Sequence, residues 1–192
     1  MLGVALLALG ALGQLTAQEQ MKVDALRASG ADVRVERSTD GRPEIWVDFP
    51  KRIEDAALRP LSDSANLTVL RILEGQVTDA GLENLKKVPR LWLLVVKSDR
   101  ITDNGCRSIA RLPALRKLDL MGAKLSASGL SALSGVRTLR ELYLHGARIE
   151  PISLSPLMTM TRLNKLSLPK RFPVSAGDRL RRALPKTQIS QY

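Results

Sequence analysis

Leucine-like residues recur at a fixed interval of 24 between Leu67 and Leu168, and this period constrains the fold more than any other feature of the chain. No insertion or deletion breaks the register, which is typical of a repeat protein whose units each form one structural coil. The aligned residues form six columns: Leu67, Leu91, Leu115, Leu139, Leu163; Leu70, Leu94, Leu118, Leu142, Leu166; Ile72, Val96, Leu120, Leu144, Leu168; Val77, Ile101, Leu125, Ile149; Leu82, Cys106, Leu130, Leu154; and Leu85, Ile109, Leu133, Leu157.

Each unit divides into two halves with different periodicity. The first half reads L-x-x-L-x-L, which predicts a short strand because alternate side chains point to opposite faces of a sheet. In the second half, apolar residues such as Leu82, Leu85 and Val88 are spaced as in a short helix or helical turn. One unit cannot bury its own leucines, so the coils must stack with parallel strands about 4.8 Å apart. The repeat therefore predicts an α/β solenoid.

The second half of two units opens on a T-D-x-G-L-like motif, at residues 78–82 and 102–106. Either Thr78 or Asp79 is expected to cap the helical turn that follows. With the L-x-x-L-x-L pattern, the motif resembles the leucine-rich repeat family, in the variety found in bacterial exported proteins. The resemblance implies a right-handed coil of parallel strands and short helices that binds a partner, with no catalysis and no cofactor. The motif weakens to Ser-Ala-Ser-Gly-Leu at 126–130 and is lost at 150–154.

The first 17 residues are predicted to be a secretory signal peptide. Residues 2–13 form an uninterrupted run of Leu, Ala, Val and Gly, about 18 Å long as a helix, against about 30 Å of bilayer hydrocarbon. Cleavage is expected after Ala17, or alternatively after Gly13. No basic residue precedes the run, so a membrane tether or an apolar first helix stay open as alternatives. The expected location is the periplasm, the cell envelope or the extracellular space.

Residues 18–42 are predicted to form an N-terminal cap made of a helix and one arm of a hairpin. The helix spans residues 18–29, with Met21, Ala25 and Ala28 on one side and Gly30 as its stop. Alternating apolar residues on both sides of Asp40-Gly41 then predict a β-hairpin. Its second arm begins a solenoid over residues 43–192, which ends in a helix over 175–184 and a short strand over 188–190.

The charge of the chain is strongly basic and unevenly distributed. The net charge is +11; residues 1–65 hold 8 basic and 10 acidic side chains, which leaves 22 basic against 9 acidic in the rest of the chain. An excess of this size is typical of proteins that bind anionic partners such as nucleic acid, acidic glycans or lipid headgroups. Cations are also favoured at the ends of helices by the helix dipole, which gives a purely structural alternative. Only 3% of residues are aromatic, which disfavours base stacking.

Residue types that carry chemistry are few. The single cysteine, Cys106, falls in a column that leucine fills elsewhere, so it is predicted to be a small buried apolar residue. One cysteine cannot form an intrachain disulfide or a thiolate zinc site. The one histidine, His145, falls at a strand position that faces away from the core. The sequence contains no phosphate-binding loop, nucleophile elbow or metal-ligand spacing, so no metal, cofactor or small-molecule substrate is implied.

The residues expected to bind a partner lie on the open, concave face of the sheet, at strand positions that alternate with the leucines. Aromatic residues and arginine are typical of the energetically important contacts in protein interfaces. The sequence therefore favours a binding scaffold for a protein partner, with an anionic polymer as the alternative. The early repeats also place apolar residues on this face, and the structural alternative is that these residues only pack under the hairpin or the leader. They are Trp46, Val69, Leu73, Leu93 and Val95. The predicted partner-binding residues are Arg71, Trp92, Val95, Arg116, Asp119, Arg140, Tyr143 and His145.

Overall fold

The computed structural model describes residues 14–149 and 154–191. The strands are β1 Asp32–Arg37, β2 Pro43–Phe49, β3 Leu67–Ile72, β4 Leu93–Lys97, β5 Lys117–Met121, β6 Lys124–Leu125, β7 Glu141–Tyr143, β8 Arg148–Ile149, β9 Lys165–Leu168 and β10 Gln188–Gln191. Eight of them form one sheet in the order β1-β2-β3-β4-β5-β7-β9-β10, in which β1 is antiparallel to β2 and every other pair is parallel. β6 and β8 pair separately.

Short helices connect consecutive strands of the sheet and lie across the leucine core from it. They lengthen from five residues to eight between the first and third full coils, and the next one has four residues. The helices are α1 Ala17–Ala28, a 3₁₀ helix Asp55–Leu61, α2 Asp79–Glu83, α3 Asp103–Ile109, α4 Ala127–Ser134, α5 Ser155–Met158 and α6 Val174–Ala183. This arrangement is the predicted α/β solenoid of parallel strands and short helices.

The strand register follows the sequence period. Val69 pairs with Leu93, Leu93 with Lys117, and Lys117 with Glu141, so each step along the sheet advances the chain by 24 residues. The leucine columns lie between the sheet and the helices; Leu70, for example, is completely buried. At about 25 cal/mol per Å² of buried apolar surface, these stacked columns supply most of the driving force for folding. Each column is shared by neighbouring coils, which is why the unit folds only as part of a stack.

The predicted hairpin is present at the N-terminal end of the sheet, with Gly41 in the left-handed conformation at φ +80° in its turn. β1 carries alternating charges on an exposed edge, a pattern that discourages pairing with other chains. Thr16 is the N-cap of helix α1 and forms a capping box with Glu19: the Thr16 hydroxyl accepts a hydrogen bond from the Glu19 N–H, and the Glu19 carboxylate accepts one from the Thr16 N–H. Gly30 follows its end at φ +87°, as expected.

The buried side of α1 differs from the predicted one. Val23 and Leu26 are buried, whereas Met21 is 73% exposed and Ala25 and Ala28 face solvent. The helix docks against the 3₁₀ helix and β1. Larger side chains bury more apolar surface than alanine, so docking selected the Val23 and Leu26 side. Of the predicted leader over residues 1–17, residues 1–13 lie outside the described residues, and Ala17 is the first residue of α1. None of the helices described here has both the length and the apolar character needed to cross a bilayer.

An aspartate ladder links successive coils on the helical side, and it explains the T-D-x-G motif. The Asp79 carboxylate accepts hydrogen bonds from the N–H and the hydroxyl of Thr102 in the next coil, at 2.9 and 2.5 Å. Asp55 accepts the same pair from Thr78 at 2.7 and 2.6 Å, and Asp103 accepts it from Ser126. Threonine caps its own helix, as Thr78 does for the Ala80 N–H, while aspartate bonds the next coil.

The glycine of the motif makes room for that carboxylate. A Cβ atom at Gly105 would lie far inside van der Waals contact with Asp79 Oδ1, and one at Gly81 or Gly129 would meet the aspartate of its preceding coil in the same way. Glycine is required here by space, because none of the three has a positive φ. The ladder extends no further than Ser126 within the described residues, since Ala127 occupies the next aspartate position.

Candidate binding site on the open sheet face

The open face of the sheet carries the side chains that alternate with the buried leucines. Its central row, defined by strand pairing, contains Arg71, Val95, Asp119, Tyr143 and Ser167. Four of the eight predicted partner-binding residues thus lie in one line across five strands. His145 follows Tyr143 by two residues, beyond the end of β7, but its ring contacts the central row at Asp119, Tyr143 and Ser167. Trp92, Arg116 and Arg140 lie at the amino edge of the sheet.

Arg71 is held by an ion pair within the sheet. Its guanidinium donates two hydrogen bonds to Asp48, both of 2.6 Å, and Arg34 approaches the same carboxylate at 3.2 Å. The hydrogen bonds to Asp48 raise the pKa of Arg71. Bidentate pairs of this geometry are among the stronger polar contacts. Arg71 therefore joins the first coil to the hairpin, and is less available to a partner than the sequence predicted.

The His145 ring links strands β5 and β9 at the centre of the face. His145 Nε2 lies 2.9 Å from Ser167 Oγ, and His145 Nδ1 lies 3.7 Å from Asp119 Oδ1. The His145 ring also stacks on Tyr143, with 5.7 Å between ring centroids. Ser167 was not predicted as a site residue; its place in the Asp119 and Tyr143 column was the available signal. The contacts orient the imidazole and hold it against the sheet.

The order Asp119, His145, Ser167 is that of a serine-hydrolase triad, but the surroundings of Ser167 do not support nucleophilic attack. Ser167 is 1% exposed, which leaves no approach for a substrate carbonyl. It also lies within a regular strand paired on both sides, by β7 and β10. A nucleophile needs an exposed oxygen with unpaired N–H groups nearby to stabilise the oxyanion. Ser167 is therefore a positioning partner of His145.

Tyr143 is fixed by two charged neighbours from its own coil and the previous one. Its hydroxyl donates to Glu141 at 2.8 Å, and the Lys117 ammonium lies 5.1 Å from its ring centroid. Burial acts to raise the pKa of Glu141, but the hydrogen bonds from Tyr143 and Lys117 outweigh it and hold that pKa below its ordinary value. Lys117 and Glu141 also form an ion pair of 3.2 Å. The aromatic ring is thus ordered before any partner arrives.

The Asp119 carboxyl makes the stability of the protein depend on pH. Burial raises the pKa of its carboxyl above the ordinary value of 3.8, while His145 and Lys117 partly oppose the shift. The folded protein therefore holds this proton more tightly than the unfolded chain, so the free energy of unfolding falls as pH rises from about 3.8 through the raised pKa.

We expect Asp119→Asn to make the protein more stable at pH 7, by about 1 kcal/mol or less, because a neutral amide avoids the cost of burying charge. The advantage should disappear well below pH 3.8, where the Asp119 carboxyl is protonated in both the folded protein and the unfolded chain. Denaturant melts of both proteins across this range measure the effect. Equal stabilities at every pH, or a less stable variant at pH 7, would contradict it.

The early apolar residues remain on the open face. β1 lies beside β2 in the plane of the sheet, so the hairpin extends this face and does not cover it. Trp46 is half-buried, with the Arg34 guanidinium 5.3 Å from its ring centroid, and Val69 is 3% exposed. Leu93 and Val95 are half-buried, and Leu73 is 42% exposed. Packing under the hairpin therefore does not account for Leu73, Leu93 or Val95, whereas Val69 is buried. Residues 1–13 of the predicted leader lie outside the described residues.

Cys106 lies in the core, as predicted. The thiol is fully buried, and burial raises its pKa to about 12, so it is protonated and shielded at neutral pH. Among residues 14–149 and 154–191, no cluster of three or more His, Cys, Asp or Glu side chains is arranged to hold a metal ion.

Comparison with known proteins identifies the repeat class. A family model described as Leucine Rich repeat matches residues 112–134, which span one coil. No curated protein matches the chain. Similar solved structures include an internalin (inlF) from Listeria monocytogenes, with 18% identity and a TM-score of 0.46 over 71% of this chain and 43% of that one. Internalin C2 of the same species has 19% identity and a TM-score of 0.45 over 70% and 66%.

The chain thus spans 43% and 66% of the lengths of these two internalins. The assignment to a class depends on the repeat itself. Parallel strands advance by 24 residues per coil, leucine columns fill the space between sheet and helices, and the family model matches one such coil. The chain therefore folds as a solenoid of leucine-rich repeats.

Proposed function

We propose that this protein is a non-enzymatic scaffold that binds a protein partner through the open face of its sheet. The observation that carries the proposal is the ordered group of Asp119, Tyr143 and His145 at the centre of that face, half-buried and held by Lys117, Glu141 and Ser167. Side chains that are already ordered lose little conformational entropy on binding, which favours affinity. Leucine-rich repeat proteins are typically binding scaffolds of this kind.

The composition of the open face also fits a protein partner. It offers two aromatic rings, Trp92 and Tyr143, beside apolar Leu93 and Val95 and an exposed Arg116. Aromatic residues and arginine dominate the energetics of protein interfaces, and polar groups around them exclude water. These residues lie on, or directly before, neighbouring strands of a continuous ladder, so the distances between them are fixed.

A second candidate function is binding of an anionic polymer at the C-terminal end of the solenoid. Residues 169–187 contain six basic side chains and one acidic side chain, Asp178. Arg181 pairs with Asp178 at 2.7 Å. The other five basic side chains are exposed and make no ion pair within the described residues: Lys170, Arg171, Arg179, Arg182 and Lys186. Such a concentration of cations would attract phosphates or carboxylates with a steep salt dependence.

The two functions are separated by matched variants in one capture experiment on the native cell envelope. Trp92→Ala and Tyr143→Ala should each weaken partner binding by about 1–4 kcal/mol, because aromatic anchors carry much of the energy of an interface. A variant with Lys170, Arg171, Arg179 and Arg182 changed to Glu should bind as the wild type does. Binding is measured at low and moderate salt, and the affinity of each captured protein is then determined with purified components.

The opposite pattern would support the anionic-polymer function. In that case the aromatic substitutions are silent, whereas charge reversal or a moderate rise in salt abolishes binding. Circular dichroism of each variant controls for loss of fold. The control is needed above all for Trp92→Ala and Tyr143→Ala, because these side chains are half-buried, whereas the four basic residues are exposed.

We also propose that the protein is exported and that its leader is cleaved after Gly13. The capping box between Thr16 and Glu19 supports this position, because cleavage after Ala17 would remove the residue that caps α1. Leu15, which packs against the core, would be lost as well. Mass spectrometry of the protein purified from its native cell should find an N-terminus at Gln14. An N-terminus at Gln18 would contradict the position, and an intact Met1 in the cytosol would contradict export.

A further inference from the structure

A cleft of about 820 Å³ lies at the amino edge of the open face, where strands β4, β5 and β7 begin. Four basic and two acidic side chains line it. Both acidic groups already have partners: Glu44 lies 3.6 Å from Arg90, and Glu141 lies 3.2 Å from Lys117. The two remaining basic residues, Arg116 and Arg140, give the cleft its uncompensated positive charge.

Neither of these arginines is bound to a carboxylate in the described part of the chain. Arg116 is exposed, and its guanidinium makes no hydrogen bond or ion pair there. The Arg140 guanidinium donates to the backbone oxygens of Arg137 and Leu139, at 3.0 and 2.9 Å. These bonds hold Arg140 in place and leave other guanidinium donors available. Arginine binds carboxylates through paired N–H donors, so two neighbouring arginines form a strong recognition site.

The cleft also has an apolar side next to the two arginines. Trp92 precedes Arg116 in the same column, and the Arg116 N–H donates to the Trp92 carbonyl at 2.9 Å. The Arg140 N–H donates to the Arg116 carbonyl at 2.8 Å, so the three residues lie directly before successive strands, which are about 4.8 Å apart. Pro89 and Ala114 complete the apolar lining. A ligand could therefore place a carboxylate at the arginines and an apolar group against the indole.

We propose that this cleft binds an acidic peptide segment of the partner, with an Asp or Glu carboxylate between Arg116 and Arg140 and a neighbouring apolar side chain against Trp92. The inference rests on the proposed function, since it names the chemistry that the open face recognises in a protein partner. It assigns specificity to this edge, whereas the Tyr143 and His145 group forms the centre of the same face.

The short length of the positive segment favours a peptide over a long polyanion. The column that contains Arg116 and Arg140 begins with Thr68 and Trp92 and continues to Asn164, so the cationic part spans only two coils. An evenly charged chain of phosphates or sulfates would extend past the two arginines onto the uncharged Trp92 and Asn164. A single carboxylate with an apolar neighbour matches both the length of the cationic segment and the indole beside it.

Selection from a phage-displayed library of random linear peptides on the wild-type protein tests the proposal. Selected peptides should be enriched in Asp or Glu next to an apolar residue. Their affinity should fall by about tenfold or more on Arg116→Ala/Arg140→Ala. The control variant Arg111→Ala/Arg162→Ala removes two exposed charges outside the cleft, and should bind as the wild type does. Heparin and single-stranded DNA are measured in parallel.

The outcomes distinguish this inference from the proposed function. Peptides without acidic enrichment, or peptides that bind the Arg116→Ala/Arg140→Ala variant as tightly as the wild type, overturn the inference. If the peptides that overturn the inference still lose affinity on Tyr143→Ala, the proposed function stands and only the acidic-peptide inference is wrong. If no peptide is selected while heparin or DNA binds, both are wrong and the ligand is a polyanion.

Discussion

Leu118→Ala is expected to lower the free energy of unfolding by about 2–5 kcal/mol, the largest effect of a single core substitution that we predict. Leu118 is completely buried, and strand pairing places it between Leu94 and Leu142. Removing its side chain leaves a cavity that both neighbouring coils line, so neither coil can close it without breaking its own register.

Denaturant melts of the wild type and the variant measure this loss. Leu73→Ala is the matched control, because Leu73 is 42% exposed on the other face of the sheet and should cost well under 1 kcal/mol. A loss below about 0.5 kcal/mol for Leu118→Ala would contradict the packing described for the central column. Equal losses for the two leucines would contradict the division into core and open faces.

Gly105→Ala is expected to cost about 2–4 kcal/mol, since its new methyl group would occupy the position of the Asp79 carboxylate. Ile101 and Leu82 lie at 3.0 and 3.1 Å from the same point, so the backbone cannot move away freely. Displacing the carboxylate also breaks its two hydrogen bonds to Thr102. Thermal and denaturant unfolding of the variant provide the measurement.

Two further variants separate the aspartate contact from a general effect of adding a methyl group. Asp79→Ala combined with Gly105→Ala should be more stable than the sum of the single losses predicts, by about 0.5–3 kcal/mol, because the clash needs both groups. Gly177→Ala is the control: it lies within α6, its nearest neighbour is the flexible end of Arg181 at 3.6 Å, and the helix favours alanine. Additive losses would mean that Gly105 is required for another reason.

The spacing of apolar residues and the position of the Asp40-Gly41 turn were sufficient to predict the coil and the hairpin, and a last strand was expected after the final helix. Side chains alternate along a strand and recur along a helix by fixed geometry, so a constant period can be read without coordinates. Leu70 and Leu94, which the sequence aligns in one column, are partners on neighbouring strands. β10 at Gln188–Gln191 lies where a final strand was expected. The predicted face of α1 was wrong, because weakly apolar alanines do not determine how a helix docks.

The candidate site was predictable by position and not by contact. Val95, Asp119 and Tyr143 were expected on the open face, and strand pairing places them in one row. The pairing of Arg71 with Asp48 and of His145 with Ser167 joins residues 23 and 22 positions apart. Those contacts depend on rotamers and on the relative twist of adjacent coils, neither of which has a sequence pattern.

The aspartate ladder shows where the limit lies. By itself, the sequence determined that Thr78 and Asp79 begin a helical turn, because a capping residue acts on its own chain within a few positions. Only the tertiary structure decided that the aspartate bonds Thr102 in the next coil and that Gly105 must leave it room. Local periodicity specifies which side chains are buried, whereas polar contacts between coils require directions and distances that arise only when the coils stack.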